Sequence, residues 1–271
     1  MPNTSYVAIV TDQHIVEPDL TLYGLNTAAS TKALVESLRK ESVHLDRVVS
    51  LGDLADTANN PDRNRAVGTV ESYKHARDIL SELRTPLLPL PGNHDEPELM
   101  TEFFPPAWEN HTHGVHHSTI GRTTLIGIDL RTGPEATGFA KAETIKTLDM
   151  VLSRSTKAII FSHYPIFDLN NQLIDTELST VNRADIHDVL RRHASKISAS
   201  FHGHLHLWVS GHKEGLMSYG VPSSSFSFVL EPEGKGPITV GDQPCGYVLL
   251  GINDDGSVMI RPRFLPPAQR A

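Results

Sequence analysis

The chain has 271 residues, of which 39% are hydrophobic and 21% are charged, and its formal net charge at pH 7 is −8. This length supplies a sizeable core for one large domain or two small ones. The acidic balance argues against general binding to nucleic acids or to membrane surfaces.

The single cysteine, Cys245, excludes an intrachain disulfide and a cysteine-based metal cluster, and it fits a reducing compartment. The N-terminal residues lack a basic segment, and the apolar run that follows them is short. We therefore expect a cytoplasmic protein without a signal peptide or membrane span. The 15 histidines are the unusual feature of the composition, and they supply material for a metal or acid–base site.

Apolar runs alternate with helical patterns along the first half of the chain. Strands are predicted at residues 6–10, 47–51 and 86–90, and helices at 28–40 and 67–83. A short helix is predicted to begin near Pro97. This alternation is typical of an α/β architecture.

The second half begins with a change of pattern between residues 103 and 117, where 104–108 reads as a loop or lid. Further strands are predicted at 123–129, 157–161 and 197–201, and helices at 140–152 and 182–192. The last third is β-rich, with strands at 215–221, 225–230, 245–252 and 258–262, a mobile loop at 231–241 and a frayed tail at 266–271.

The stretch Pro91-Gly92-Asn93-His94-Asp95 follows the third predicted strand. Gly92 lets the backbone turn sharply. Asn93 offers a neutral carbonyl oxygen to a cation, and His94 can donate a proton. An ordinary polar turn would explain this stretch equally well on its own, so the functional interpretation depends on further clusters.

Such clusters follow four other predicted strands. They contain Asp12 and His14, then Asp53, then His163, and finally His204 and His206. On an extended backbone, residues two apart face the same side, so each pair could grip one ion. Asp56 reads as a loop or cap residue. The histidines at 111, 113, 116 and 117 lack an acidic or cysteine partner at ligand spacing, which argues against a second metal site there.

Together with Asn93, these side chains make seven candidate ligands at the ends of five strands. In an open sheet, the crevice at the carboxyl ends of the strands binds ligands. Seven nitrogen and oxygen ligands suit two ions that share a bridge, and the lack of thiolate favours Mn, Fe, Zn or Co. Two such ions lower the pKa of a shared water, hold phosphoryl oxygens and offset charge in an in-line displacement.

The blocks resemble the calcineurin-like metallophosphoesterase family in residue type and order. They are Asp12-x-His14, Gly52-Asp53, Gly92-Asn93-His94-Asp95, Ser162-His163 and Gly203-His204-x-His206. The resemblance implies an α/β fold, a four-layer αββα sandwich of two mixed β-sheets flanked by helices. Residues 1–271 would form a single domain, in which about residues 215–271 complete the second sheet and offer cap or oligomer contacts.

The resemblance also implies how the ligands divide between two divalent or trivalent ions. One ion would take Asp12, His14, Asp53 and His206, and the other would take Asp53, Asn93, His163 and His204. His94 would act as an acid or hydrogen-bond donor near the leaving group. Asp95 would orient His94 or a group behind a ligand, and a plain turn role is the alternative.

Within the family, Leu22-Tyr23-Gly24 and the block at 52–56 are similar to bacterial class III cyclic nucleotide phosphodiesterases and related glycerophosphodiesterases. We therefore expect a binuclear phosphodiesterase in which a hydroxide held by both ions attacks phosphorus. Its substrates would be cyclic nucleotides of the 3′,5′-cyclic AMP type or small phosphodiesters.

Other functions use the same residues. A phosphomonoesterase or nucleotide pyrophosphatase is the main alternative, and a metal-loaded scaffold without turnover is a remote one. Arg131 stands near the motifs without a basic cluster around it, which favours diesters over dianionic monoesters. No nucleic-acid or membrane partner is expected, and a homo-oligomer stays open. Candidate substrate contacts are Tyr23, His111, His113 and Tyr164.

Overall fold

The computed structural model describes residues 4–132, 135–231 and 238–265. Its strands are Thr4–Val10 (β1), Arg47–Ser50 (β2), Leu87–Pro89 (β3), Asn110–Thr112 (β4), Val115–Ile120 (β5), Thr123–Ile128 (β6), Lys157–Ser162 (β7), Ile197–His202 (β8), Val209–Lys213 (β9), Leu216–Gly220 (β10), Phe228–Val229 (β11), Thr239–Val240 (β12), Gly246–Asn253 (β13) and Val258–Phe264 (β14). The helices are Thr27–Arg39 (α1), Val70–Leu80 (α2), Pro97–Phe103 (α3), Ala142–Arg154 (α4), Gln172–Glu177 (α5) and Arg183–Arg192 (α6).

These strands form two large mixed sheets and one small ribbon. The five-stranded sheet has the order β14-β13-β1-β2-β3, and the seven-stranded sheet has the order β4-β5-β6-β7-β8-β10-β9. Strands β1, β2 and β3 are parallel, and so are β6, β7, β8 and β10. The ribbon pairs β11 with β12 in antiparallel fashion.

One face of each large sheet packs against the other. On β1, the alternate side chains of Val7 and Ile9 join Phe161 of β7 and Phe201 of β8 in a shared apolar core. All four side chains are at most 1% exposed. The two sheets therefore form a sandwich whose interior both of them supply.

Helices cover the outer faces. Ala8 and Val10, which alternate with the inward residues of β1, pack with Leu34 of α1. The seven-stranded sheet packs on its outer side with Leu148 of α4 and Ile186 of α6. This arrangement confirms the predicted αββα sandwich. Within the described residues, the helices are too short or too polar to cross a bilayer.

Most predicted elements are present, and the departures have local causes. The helix predicted for 67–83 begins later, because Thr69 and Ser72 form a capping box that starts α2 at Val70. Trp108, expected on a loop or lid, is buried, and its Nε1 donates to the carbonyl of Pro89 at 2.9 Å. The sequence pattern misses α5, β4, β5, β9 and β12.

The C-terminal part divides between both sheets, whereas the sequence leads us to expect that about residues 215–271 complete the second sheet. Strand β10 lies in the seven-stranded sheet, whereas β13 and β14 extend the five-stranded sheet beside β1. Residues 246–252 are all buried, because Val248 and Leu250 face the core between the sheets while Leu249 faces the layer of α1. Most of the predicted loop at 231–241 and the whole tail at 266–271 lie outside the described residues.

Candidate metal centre

The seven candidate ligands lie on loops that follow strands of both large sheets. Asp12 and His14 follow β1, Asp53 follows β2, Asn93 follows β3, His163 follows β7, and His204 and His206 follow β8. All seven are buried, with at most 9% of their surface exposed. Because the strands concerned are parallel within each sheet, their carboxyl ends bring these loops to one edge of the sandwich.

Five of the seven ligands adopt a left-handed backbone. Their φ angles are 53° for Asp12, 43° for His14, 52° for Asp53, 66° for His204 and 57° for His206. The expectation that an extended backbone turns each pair to one side is therefore wrong, since both strands end before these residues. Residues other than glycine rarely adopt this conformation, and such strain gathers at functional sites.

Two glycines allow the loops to approach closely. A Cβ atom on Gly92 would overlap Asp53 Oδ1 and lie 2.7 Å from Cε1 of His163. A Cβ atom on Gly203 would lie 2.9 Å from Asp12 Oδ2. Neither position tolerates a side chain without displacing a candidate ligand.

The first ligand group joins Asp12, His14 and His206. Nε2 of His206 lies 3.2 Å from Nε2 of His14 and 3.3 Å from Oδ1 of Asp12. One ligand atom from each residue lies within 4.8 Å of the others. This spacing suits a single ion held by one carboxylate and two imidazoles.

The second group joins Asp53, His163 and His204, with Asn93 beside them. Nε2 of His163 lies 3.1 Å from both Asn93 Oδ1 and His204 Nδ1. Asp53 Oδ2 is 3.4 Å from His163 Nε2 and 3.5 Å from His14 Nε2. This oxygen therefore faces both groups, as a bridging ligand would.

Each of the four imidazoles uses one ring nitrogen to contact an acceptor outside the centre. For His14, His163, His204 and His206 the acceptors are, in that order, Asp56 Oδ2 and the backbone carbonyls of Leu51, Ala136 and Phe226, at 2.8–2.9 Å. A carbonyl oxygen only accepts, so the ring nitrogen must be the donor. These bonds fix each ring's orientation and tautomer.

The atoms that face inward fit a cation. With the outer nitrogens donating, the neutral rings direct lone pairs at each other across 3.1–3.2 Å, which is repulsive unless a positive charge lies between them. Asp12 Oδ1 is also buried without a hydrogen bond, whereas its Oδ2 accepts from the backbone N–H of His204. Imidazole, carboxylate and amide donors suit divalent transition metals.

The close packing of buried ionisable side chains shifts the pKa values of the candidate ligands. Burial raises the pKa of the Asp53 carboxyl, but His163 and His94 outweigh that effect and hold it well below its usual range. Burial lowers the pKa of His163, yet Asp53 raises it to about 9. Burial lowers the pKa of His204 to about 3, and His163 adds to that shift. Without metal, a proton on His163 thus partly offsets the carboxylates.

His94 lies beside the two groups. Its backbone N–H donates to Asp53 Oδ1 at 2.8 Å, and its Nδ1 is 3.4 Å from Asp56 Oδ2. Burial lowers its pKa, but Asp53 and Asp56 together raise it to about 9. His94 also forms a third group with His14 and Asp53, whose ligand atoms lie within 4.8 Å of one another.

Asp56 is a functional residue that the sequence reasoning missed. It is fully buried, and its Oδ2 contacts Nδ1 of His14 at 2.9 Å and Nη2 of Arg63 at 2.6 Å. The one signal in the sequence was its place three residues after Asp53, which is equally typical of a loop or cap. Its partners come from other segments, so the sequence pattern could not reveal its role.

Asp95, predicted to be catalytic, makes a different set of contacts. Its carboxylate accepts from the backbone N–H groups of Leu54 and Gly92 and from the hydroxyl of Tyr73, at 2.9–3.1 Å. Burial, followed by the charge of Asp53, raises its pKa to about 6. Asp95 thus ties together the backbone of two ligand loops, in keeping with the turn role kept as the alternative, and Asp56 is the carboxylate next to His94.

A serine run at 223–225 braces the loop after β1. Ser223 Oγ donates to the carbonyl of Asp12 at 2.8 Å, and Ser225 Oγ donates to the carbonyl of Gln13. These bonds hold the left-handed loop that carries two ligands. The strand predicted at 225–230 is shorter in the structure, where β11 covers Phe228–Val229.

Five of the seven candidate ligands line a cleft of about 240 Å³; they are His14, Asp53, Asn93, His204 and His206. Its polar side includes Asp56, Arg63 and His94 beside the ligands. Its remaining wall is apolar and includes Tyr23, Leu178, Phe226, Phe228, Leu230 and Ile238. The cleft therefore joins the candidate ligands to an apolar wall.

Other residues considered from the sequence lie elsewhere. His111 and His116 face each other on β4 and β5, and the metal-compatible groups among the described residues do not include them, His113 or His117. Tyr164, considered as a substrate contact, is fully buried. Of the proposed substrate contacts, only Tyr23 borders this cleft.

A family model described as calcineurin-like phosphoesterase matches residues 5–208. A probable cyclic nucleotide phosphodiesterase of Rhodopseudomonas palustris is 24% identical over 95% of this chain and 92% of its own length. The glycerophosphodiester phosphodiesterase GpdQ of Enterobacter lignolyticus is 27% identical over 62% of this chain and 60% of its own. Among solved structures, a dimetal phosphatase from Danio rerio has a TM-score of 0.64 at 17% identity, covering 94% of this chain and 98% of its own.

Proposed function

Since the chain belongs to the calcineurin-like phosphoesterase family, we propose that it is a binuclear phosphodiesterase acting on cyclic nucleotides or other small phosphodiesters. The observation that carries this proposal is the position of Asp53 Oδ2, within 3.5 Å of both His14 Nε2 and His163 Nε2. Mn, Fe, Zn or Co ions held by the two groups would activate a water and offset phosphoryl charge. The same groups would orient the phosphorus for attack.

In this proposal His94 supplies the proton that the leaving alcohol needs. Its side chain is 15% exposed and lines the cleft, so a bound ester can reach it. In the metal-free protein, Asp53 and Asp56 raise its pKa to about 9. A positioned imidazolium of this kind contributes roughly 100- to 10,000-fold to such a step.

The charge of the cleft supports diesters over monoesters. Arg63 is the one arginine or lysine among the described residues that line it. Its guanidinium already contacts Asp56 and donates to the carbonyl of Thr57. Beyond the ions and His94, a dianionic monoester would therefore find little uncompensated positive charge, whereas a monoanionic diester needs less. A monoesterase or nucleotide pyrophosphatase is the alternative.

The named relatives support the same class, since they include a probable cyclic nucleotide phosphodiesterase and a glycerophosphodiester phosphodiesterase. We assign the whole chain to one domain, because both sheets contribute ligands. The buried free thiol of Cys245 fits a cytoplasmic enzyme.

The test is hydrolysis of bis(p-nitrophenyl) phosphate against p-nitrophenyl phosphate by metal-stripped protein reloaded with Mn²⁺. Faster diester cleavage is the expected result. Faster monoester cleavage would favour the alternative. Hydrolysis of neither compound, with two ions verified per chain, would overturn the proposal.

A further inference from the structure

Tyr23 occupies a backbone position that is unfavourable for an aromatic residue. Leu22 and Leu25 exchange two backbone hydrogen bonds, of 3.0 and 2.9 Å, and so close a tight turn. Both central residues are left-handed, with φ 54° at Tyr23 and 72° at Gly24. Asn, Asp or Gly normally takes the first of these positions, and a bulky side chain there is strained. Strain of this kind is a reason to look for a function of the ring.

The ring of Tyr23 stands at the mouth of the metal cleft. Half of the residue remains exposed, although it borders the apolar wall. Its ring meets Phe226 edge-on at 5.5 Å between centroids, and the guanidinium carbon of Arg63 lies 5.8 Å from its centroid. Phe226 in turn lies 4.6 Å from the ring of His206. Aromatic contacts thus run from the rim to a candidate ligand.

We propose that Tyr23 determines substrate specificity by stacking on a flat aromatic group carried by the diester, such as a nucleobase. This inference rests on the phosphodiesterase function proposed above and narrows its substrate class. Phe228 and Ile238 add apolar surface to the same cleft. Aromatic rings stack on bases of any type, whereas a small polar substituent such as glycerol gains little from a ring.

Two diesters with the same p-nitrophenolate leaving group test the inference. These are methyl p-nitrophenyl phosphate and thymidine 5′-(p-nitrophenyl phosphate), which differ in the substituent that stays on phosphorus. We expect the Mn²⁺-loaded wild type to prefer the thymidine ester in kcat/KM. Tyr23→Ala should lower this preference about tenfold, mainly through KM, because one stacking contact is lost. Tyr23→Phe should keep it, because the ring remains.

Two further variants separate recognition from folding. Tyr23→Asn suits the left-handed turn, so its unfolding midpoint should rise while it loses the preference as Tyr23→Ala does. Phe264→Ala removes a 55% exposed ring outside the cleft and should keep the wild-type preference. A Tyr23→Ala preference within twofold of wild type would overturn the inference while leaving the phosphodiesterase proposal intact. Failure of the wild type to cleave either diester would overturn both.

Discussion

Asp56 Oδ2 lies 2.9 Å from Nδ1 of His14, and this contact fixes which His14 nitrogen faces the metal centre. We expect Asp56→Asn to weaken metal binding about 10- to 100-fold, because it removes the charge that holds this imidazole. Isothermal titration of metal-stripped protein with Mn²⁺ measures the effect. Asp46→Asn is the control. Asp46 accepts a hydrogen bond from the backbone N–H of Tyr6, as Asp56 does from that of Thr57, but it lies outside the centre. Equal affinities for the two variants would contradict the role of Asp56.

Asn93 belongs to the second ligand group through its contact with His163 Nε2. Asn93→Ala should reduce the bound metal from two ions to about one per chain and sharply lower turnover. The first group should keep its ion, because its ligand atoms come from Asp12, His14 and His206. Metal analysis of the purified variant after dialysis measures the stoichiometry. Two tightly bound ions in Asn93→Ala would refute its assignment as a ligand.

His94 is assigned to proton donation, although it also lies within ligand distance of His14 and Asp53. We expect His94→Ala to keep both ions and to lose the most activity on diesters with poor leaving groups, such as alkyl alcohols. Rates for a series of leaving groups of increasing pKa provide the measurement. Loss of one ion from the variant would show instead that His94 is a ligand.

Gly92 leaves no room for a side chain between two ligands. Gly92→Ala should destabilise the fold by about 1–3 kcal/mol, as overpacking does, and should weaken metal binding, because the new methyl group displaces Asp53 or His163. Chemical denaturation and metal titration measure the two effects. Gly121→Ala is the control, since Gly121 has open space around it and lies outside the centre, while its positive φ gives the variant a loss of stability of its own. The control should lose stability without any change in metal affinity.

His116 makes the stability depend on pH away from the metal centre. It is buried against the ring of His111, 4.2 Å away, and burial lowers its pKa to about 3. In the unfolded chain, His116 takes up a proton near pH 6.5, whereas in the folded chain burial prevents this. The free energy of unfolding therefore has its full value above pH 6.5 and decreases as the pH falls toward 3. The loss between pH 6.5 and 5 is about 2 kcal/mol.

Urea denaturation at pH 7.5 and pH 5 tests this dependence. His116→Phe should lose less stability than the wild type between the two pH values, because the variant has no proton to exclude. His44→Phe changes an exposed histidine and should follow the wild type. The prediction fails if His116→Phe and the wild type lose equal stability.

The sequence predicted most of the fold, because strands buried on both faces leave apolar runs that stand out. It placed β1, β2, β7 and β8 to within a residue or two. It did not predict that β13 lies beside β1, since that pairing joins residues about 240 positions apart. Nor did it predict how short β11 is, since the pattern indicated a strand over residues 225–230.

For the candidate site, the sequence identified side chains by type and by their place after strands. It could not identify residues that act through distant partners, such as Asp56 with His14 or Ser223 with Asp12. It also explained the pairing of ligands by an extended backbone, whereas the structure uses left-handed residues. Propensity rules disfavour that conformation, so local sequence does not reveal it.

Each ligand group draws residues from both sheets of the sandwich. His206 of the seven-stranded sheet meets Asp12 of the five-stranded sheet in one group, and His163 meets Asp53 in the other. Bound ions would therefore cross-link the two sheets at one edge of the sandwich. Removing the ions with a chelator would weaken the association of the two sheets as well as abolish hydrolysis. The melting temperature would therefore depend on the metal concentration around the protein.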